Sequence, residues 1–164
     1  MSNLAQAVVY YAKKWMGYSE ANGKFKEIID TYNTLNPLPR GYKLKYTDEW
    51  CATFVSTVSI ECGMTDIIPT ECSCERQIKL FDDLGCWIED DAYVPLPGDI
   101  IYYRLGNKDS GDCTKWANHV GIVIGTYEGK IRVIEGNKDD AVDYRYIFRW
   151  DPRIRGYGLP DYEK

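Results

Sequence analysis

Residues 119–137 read HVGIVIGTYEGKIRVIEGN. Two runs rich in β-branched residues, 119–126 and 130–137, flank Tyr127, Glu128 and Gly129. A three-residue loop with glycine in the left-handed position is a common hairpin connection. This predicts an antiparallel pair with His119 opposite Asn137 and Gly121 opposite Glu135. Strand side chains alternate between faces, so His119, Glu135 and Asn137 then share one face. A two-residue turn would divide them between faces instead. Two readings of Glu135-Gly136-Asn137 stay open. One polar member holds an imidazole by its second nitrogen, or the segment is a polar strand end entering a turn.

Outward from the hairpin, PGDIIYY (97–103) and a run near YRYIF (144–148) are also short and rich in β-branched and aromatic residues. In the first, proline and glycine make a turn that feeds a strand, and Asp99 is expected to tie down the loop. The first half has the helical period instead. Leu4, Ala7, Val8, Tyr11 and Trp15 mark a first helix that ends near Gly17, and Phe25, Ile28, Ile29, Tyr32 and Leu35 mark a second, stopped by Pro37. A third helix is expected from a Thr47 or Asp48 cap through WCATFVSTVSIEC to Gly63, and a fourth from Ser73 to Gly85. Helices first and strands afterwards indicate an α+β fold, with N-terminal helices packed on a C-terminal, mostly antiparallel sheet. No repeat or linker interrupts the chain, which reads as a single domain over residues 1–164.

A chain of 164 residues that is 45% hydrophobic can bury a core without disulfides or metals. Its net charge is −5 with Lys and Arg scattered, so it lacks the basic stripe that a nucleic-acid partner requires. The 14 tyrosines and 5 tryptophans suit either a groove for sugars or peptides or ordinary core and rim packing. The N-terminus reads as an amphipathic helix with no apolar signal segment or cleavage site, and no apolar run is long enough to span a bilayer. Synthesis in the cytoplasm with reduced thiols is expected, and any extracytoplasmic target would be reached after lysis or by non-classical export.

Cys51 falls about four or five residues into the expected third helix, near the positive end of its dipole, which favours the nucleophilic thiolate. It could equally be a small core residue facing Phe54, Val55 and Val58. His119 is the only histidine in the chain and opens the best strand, just after a polar turn. It is therefore the one candidate for an imidazole base. Cys72 and Cys74, with Cys62 and Cys86 at a distance, do not have zinc-knuckle spacing and read as free or partly buried thiols near the rim of the site, with a disulfide of Cys72 or Cys74 after release as the open alternative.

The stretches DEWCATFVS (48–56), PLPGDIIYY (95–103), NHVGIV (118–123) and IEGN (134–137) resemble, in that order, the CHAP family of cysteine, histidine-dependent amidohydrolases/peptidases, a relative of the NlpC/P60 group. RGYGLPDY (155–162) looks like the end of such domains in phage and prophage endolysins. The resemblance spans residues 47–162 and implies a papain-like α+β fold that hydrolyses an amide bond of peptidoglycan. That bond is either N-acetylmuramoyl–L-alanine or one within the stem or cross-bridge peptide. Carried over by position, Cys51 is the nucleophile, His119 the base and later acid, Glu135 the orienting carboxylate, and Asn137 a further polar member of the site. Tyr46, Asp48 and Trp50, just ahead of the cysteine, are candidates for oxyanion or substrate contact.

Some CHAP lysins carry an Asp-rich calcium loop before the cysteine, but GYKLKYTDEW (41–50) offers only Asp48 and Glu49, so no metal and no cofactor are expected. No wall-binding module follows residue 164, which suggests a stand-alone lysin or a catalytic domain cut from a longer chain. The expected partners are the peptidoglycan stem peptide and glycan, with no nucleic acid and no membrane, and the protein is expected to be a monomer. The rival readings are a papain-like hydrolase or transferase acting on another amide, and a catalytically inactive wall-binding module.

Overall fold

A computed structural model describes residues 2–106, 113 and 116–164. The polar turn ahead of His119 falls partly outside those residues. The four expected helices are α1 (Asn3–Lys14), α2 (Phe25–Tyr32), α3 (Cys51–Cys62) and α4 (Cys74–Asp83). The strands are β1 (Trp87–Ile88), β2 (Ile100–Tyr103), β3 (His119–Tyr127), β4 (Lys130–Lys138), β5 (Ala141–Phe148) and β6 (Ile154–Gly158). They form one antiparallel sheet in the order β1-β6-β2-β3-β4-β5. The α+β class with helices ahead of strands is therefore the observed one.

Helix α3 is the central element. Every residue from Cys51 to Ser59 is buried, so its apolar side chains pack all round. Three of its hydroxyls cross to neighbouring backbone: Ser56 bonds the Glu71 carbonyl, Thr57 that of Ile28 and Ser59 that of Ile68, at 2.7–2.9 Å, while the buried Thr53 hydroxyl has no partner among the described residues. These bonds fix α2 and the 68–71 loop around α3. The main core (Val8, Ile28, Phe54, Val58, Phe81, Ile100, Ile122 and Ile134 among others) lies between helices and sheet. A second cluster, with Ile101, Tyr103, Val123, Val133 and Tyr157, covers the other face of the strands.

Two expectations are corrected here. The third helix begins at Cys51 rather than near Thr47, because Asp48 does not cap it. The Asp48 carboxylate instead accepts from the Tyr42 hydroxyl at 2.6 Å and the Lys45 backbone N–H at 2.9 Å. Those bonds hold the preceding loop, and the N-cap residue Trp50 makes no side-chain cap bond. The hairpin turn is also shorter than expected. Tyr127 pairs with Lys130, leaving Glu128 and Gly129 at φ 51° and 80° as a two-residue turn with both central residues left-handed. Such a turn alone would put His119 and Glu135 on opposite faces. The register shifts by one residue between Val123 and Gly125, however, and beyond this bulge Val123 pairs with Val133 and Ile122 with Ile134. The bulge restores the register that places Gly121 opposite Glu135.

Candidate active site

Cys51 opens α3, where the first backbone N–H groups have no partner within the helix and the dipole is positive. His119 opens β3, opposite Tyr103 of β2. Its Nε2 lies 2.8 Å from Glu135 Oε1, which leaves Nδ1 for the Cys51 sulfur, with which the imidazole is hydrogen-bonded. Glu135 is fully buried, and its second oxygen accepts from Arg145 Nε at 2.7 Å. Tyr103 stacks on the imidazole at 6.0 Å, and the Arg145 guanidinium lies 5.6 Å from the centre of the same ring. A chain of partners thus runs from Cys51 through His119 and Glu135 to Arg145. Cys51, His119 and Glu135 are buried, Arg145 is half-buried, and each is held by its partners in the chain.

The glycine opposite the carboxylate is part of this geometry. A Cβ on Gly121 would lie 2.5 Å from Val133 Cγ1, 2.7 Å from Glu135 Cγ and 2.9 Å from the Ile134 carbonyl oxygen. Only a bare backbone lets Glu135 cross the neighbouring strand to the imidazole. Gly121→Ala is expected to destabilise the protein by about 1–3 kcal/mol through overpacking. It should also lower hydrolytic activity, at temperatures where the variant is still folded, by more than the folded fraction accounts for. Parallel thermal melts and rate assays check this, and an unchanged rate would contradict it.

The charges favour a thiolate–imidazolium pair. A hydrogen bond from the Cys74 thiol is the strongest influence on Cys51. Burial opposes it, but the Cys74 bond together with His119 and the Ala52 backbone N–H brings the Cys51 thiol well below its ordinary value. The two sulfurs are 3.7 Å apart. Burial pulls the imidazole down, yet its bonds to Cys51 and Glu135 outweigh this and push His119 up to about 9. Burial would likewise raise the Glu135 carboxyl, but His119 and Arg145 hold it below the usual carboxylate range. The charged pair therefore spans neutral pH.

The other four residues expected at the site take partners outside the Cys51–His119–Glu135 line. Asn137 sits at φ 55°, where the β4–β5 register shifts, and its side-chain amide donates to Glu49 instead of meeting the imidazole. Alternation fails there because the residue has left extended geometry. Trp50 is completely buried, with its indole N–H bonded to Glu20 at 3.0 Å, so its side chain is core and not a substrate contact. Asp48 is an ionised acceptor that organises its own loop; its bonds to Tyr42 and Lys45 lower it, so it cannot donate to an oxyanion. Tyr46 is exposed and lines a cleft of about 500 Å³ with Asp30, Asn33, Lys43, Leu44 and Lys45, its hydroxyl donating to Asp30 at 2.6 Å.

Three members escaped the sequence reading. The 144–148 run was recognisable as a strand, but its register was not, so Arg145 could not be placed beside Glu135. Tyr103 was visible only as a strand aromatic. Cys74, expected as a rim thiol, is buried against Cys51. Its position follows from Glu71, whose carboxylate gathers Arg40, at 2.6 and 3.2 Å, and the backbone N–H groups of Cys72 and Ser73. Those bonds set the loop from which α4 starts. Among the described residues no group of three or more His, Cys, Asp or Glu side chains could hold a metal ion. Nor is any described helix long and apolar enough to cross a membrane.

Compared with protein families, residues 41–137 match the CHAP domain. The chain belongs to the CHAP family. The match contains Cys51, His119 and Glu135 and stops short of Arg145. Membership makes this CHAP domain a hydrolase of the amidase or peptidase kind, with a peptidoglycan-related substrate. No curated protein matches the chain.

Proposed function

We propose that this CHAP domain cleaves an amide bond of peptidoglycan through a thioester on Cys51. The observation that carries the reading is the buried Cys51–His119–Glu135 line at the start of α3. The Cys51 thiolate attacks the amide carbonyl, and the backbone N–H of Cys51, at the helix start, helps hold the tetrahedral oxyanion. Protonated His119 delivers its proton to the leaving amine. The neutral imidazole then takes a proton from water, which hydrolyses the thioester and frees Cys51. Glu135 keeps the ring oriented and its charge balanced throughout, while Arg145 keeps Glu135 ionised.

The substrate is either N-acetylmuramoyl–L-alanine or a stem or cross-bridge peptide bond. Digestion of purified sacculi, with product masses read for new termini, tests this directly. Release of peptides beginning with L-alanine assigns an amidase, and new termini inside the peptide assign an endopeptidase. Intact sacculi alongside cleavage of other amides would reject the wall as substrate.

A further inference from the structure

The site contains a second thiol that the proposed hydrolysis does not consume. Cys51 and Cys74 are unbridged, both are buried, and their sulfurs are 3.7 Å apart. Each stands at the first residue of a helix, α3 and α4. The anchoring is firm on both sides: Ser56 of α3 bonds both the N–H and the carbonyl of Glu71, at 2.9 and 2.8 Å, and Ser73 caps α4. Glu75, in the first turn of α4, accepts from the Ala117 backbone N–H, two residues before His119. The thiol pair and the imidazole are therefore held on one frame.

We infer that Cys51 and Cys74 form a dithiol modification site for hydroperoxides, closing to a reversible disulfide that blocks the nucleophile. The Cys51 thiolate attacks the hydroperoxide; the O–O bond breaks, sulfur is oxidised to sulfenic acid, and the departing hydroxide or alkoxide takes the His119 proton to leave as water or an alcohol. The Cys74 sulfur then attacks Cys51 Sγ. The S–S bond forms as the S–O bond breaks, and the departing hydroxide takes the Cys74 proton to leave as water. A thiol reductant of the dithiol class returns both residues to thiols. A disulfide needs about 2.05 Å between sulfurs, so the pair must close from 3.7 Å. The thiolate charge that holds the Cys74 proton disappears once Cys51 becomes a sulfenic acid, which frees Cys74 to act as the resolving thiol.

This inference rests on Cys51 being the nucleophile, and its test reads covalent state separately from wall hydrolysis. Reduced protein is treated with a several-fold molar excess of hydrogen peroxide, the remaining thiols are alkylated, and peptides are mapped by mass. The expected product is a Cys51–Cys74 cross-link with the mass loss of two hydrogens. Hydrolysis should fall by at least about tenfold and return on reduction. In Cys74→Ser, and in Cys74→Ala as a second variant, the Cys51 peptide should instead gain two oxygens, and its activity should not return. Sulfinic acid at Cys51 of the unmodified protein to the same extent as in the variants would overturn the inference, as would a cross-link from Cys51 to another cysteine. A Cys51–Cys74 cross-link with full hydrolysis would instead contradict the role of Cys51 as nucleophile.

Discussion

Cys51→Ala is expected to lower the hydrolysis of purified cell walls by at least about 10³-fold, to the level of uncatalysed release. No other thiol can substitute. Cys74 is the nearest, but its thiol is pushed well above the ordinary value by its bond to Cys51 and by burial. Removing Cys51 would relieve the first cause only, and burial would still hold the Cys74 thiol up. The substitution deletes one sulfur from a tightly buried position, so stability should change by no more than about 1–2 kcal/mol. A melt and a far-ultraviolet spectrum like those of the unchanged protein, together with lost hydrolysis, would separate chemistry from folding. Substantial residual activity would remove Cys51 from the mechanism.

The second large effect is expected at Glu135. Glu135→Gln keeps the shape of the side chain and can still accept from His119, but it removes the negative charge. Two consequences follow from burial. Arg145 keeps its charge with only a neutral partner, and the amide must point either its oxygen or its nitrogen at a guanidinium that only donates. His119 loses a partner that pushes it upward, while the burial that pulls it downward persists. With a raised folded-state value of about 9, protonated His119 adds stability that is fully present below about pH 6.5 and is lost as pH rises through about 9. The ion pair with Cys51 follows the same upper limit. In Glu135→Gln that limit moves to lower pH. The rate should fall by roughly 10²–10⁴-fold on the scale of lost orienting carboxylates. The alkaline limb of the pH–rate profile should shift toward neutrality. A profile that keeps its alkaline limb would show that Glu135 does not set the imidazole charge.

The sequence was most informative where chemistry and period coincide. His119 was identifiable because it is the only histidine, and Cys51 was singled out among six cysteines by the family resemblance of DEWCATFVS. Glu135 was placed on the right face through an expected three-residue turn that the chain does not make. The I′-type pair Glu128-Gly129 and the bulge at Ile124 are two departures that cancel. Nothing in GIVIGTY announces that bulge, since an extra β-branched residue is as acceptable in a bulged strand as in a regular one. At Asn137 no second departure compensates, and the same alternation gives the wrong partner. Strand β6 was read only as a family motif because Gly156 and Gly158 weaken its strand signal. Both are required by close packing, since a Cβ at either would lie 2.5–2.6 Å from ring atoms of Phe81 or Trp87. Cys74 was hidden for another reason. Its contact with Cys51 joins the starts of two helices through a loop set by Glu71 and Arg40, and no local spacing encodes that meeting.

The central claim is that Cys51 is a thiolate paired with protonated His119 at neutral and mildly acidic pH. The most direct measurement is the rate of iodoacetamide alkylation, resolved by peptide mass for all six cysteines, between pH 5 and pH 9. Cys51 should be labelled at pH 5.5 at least about tenfold faster than any other cysteine. That lead should collapse in His119→Ala. Labelling of Cys51 that rises only as pH approaches 9, in step with the half-buried thiols Cys62, Cys72 and Cys86 and indifferent to His119, would contradict the account.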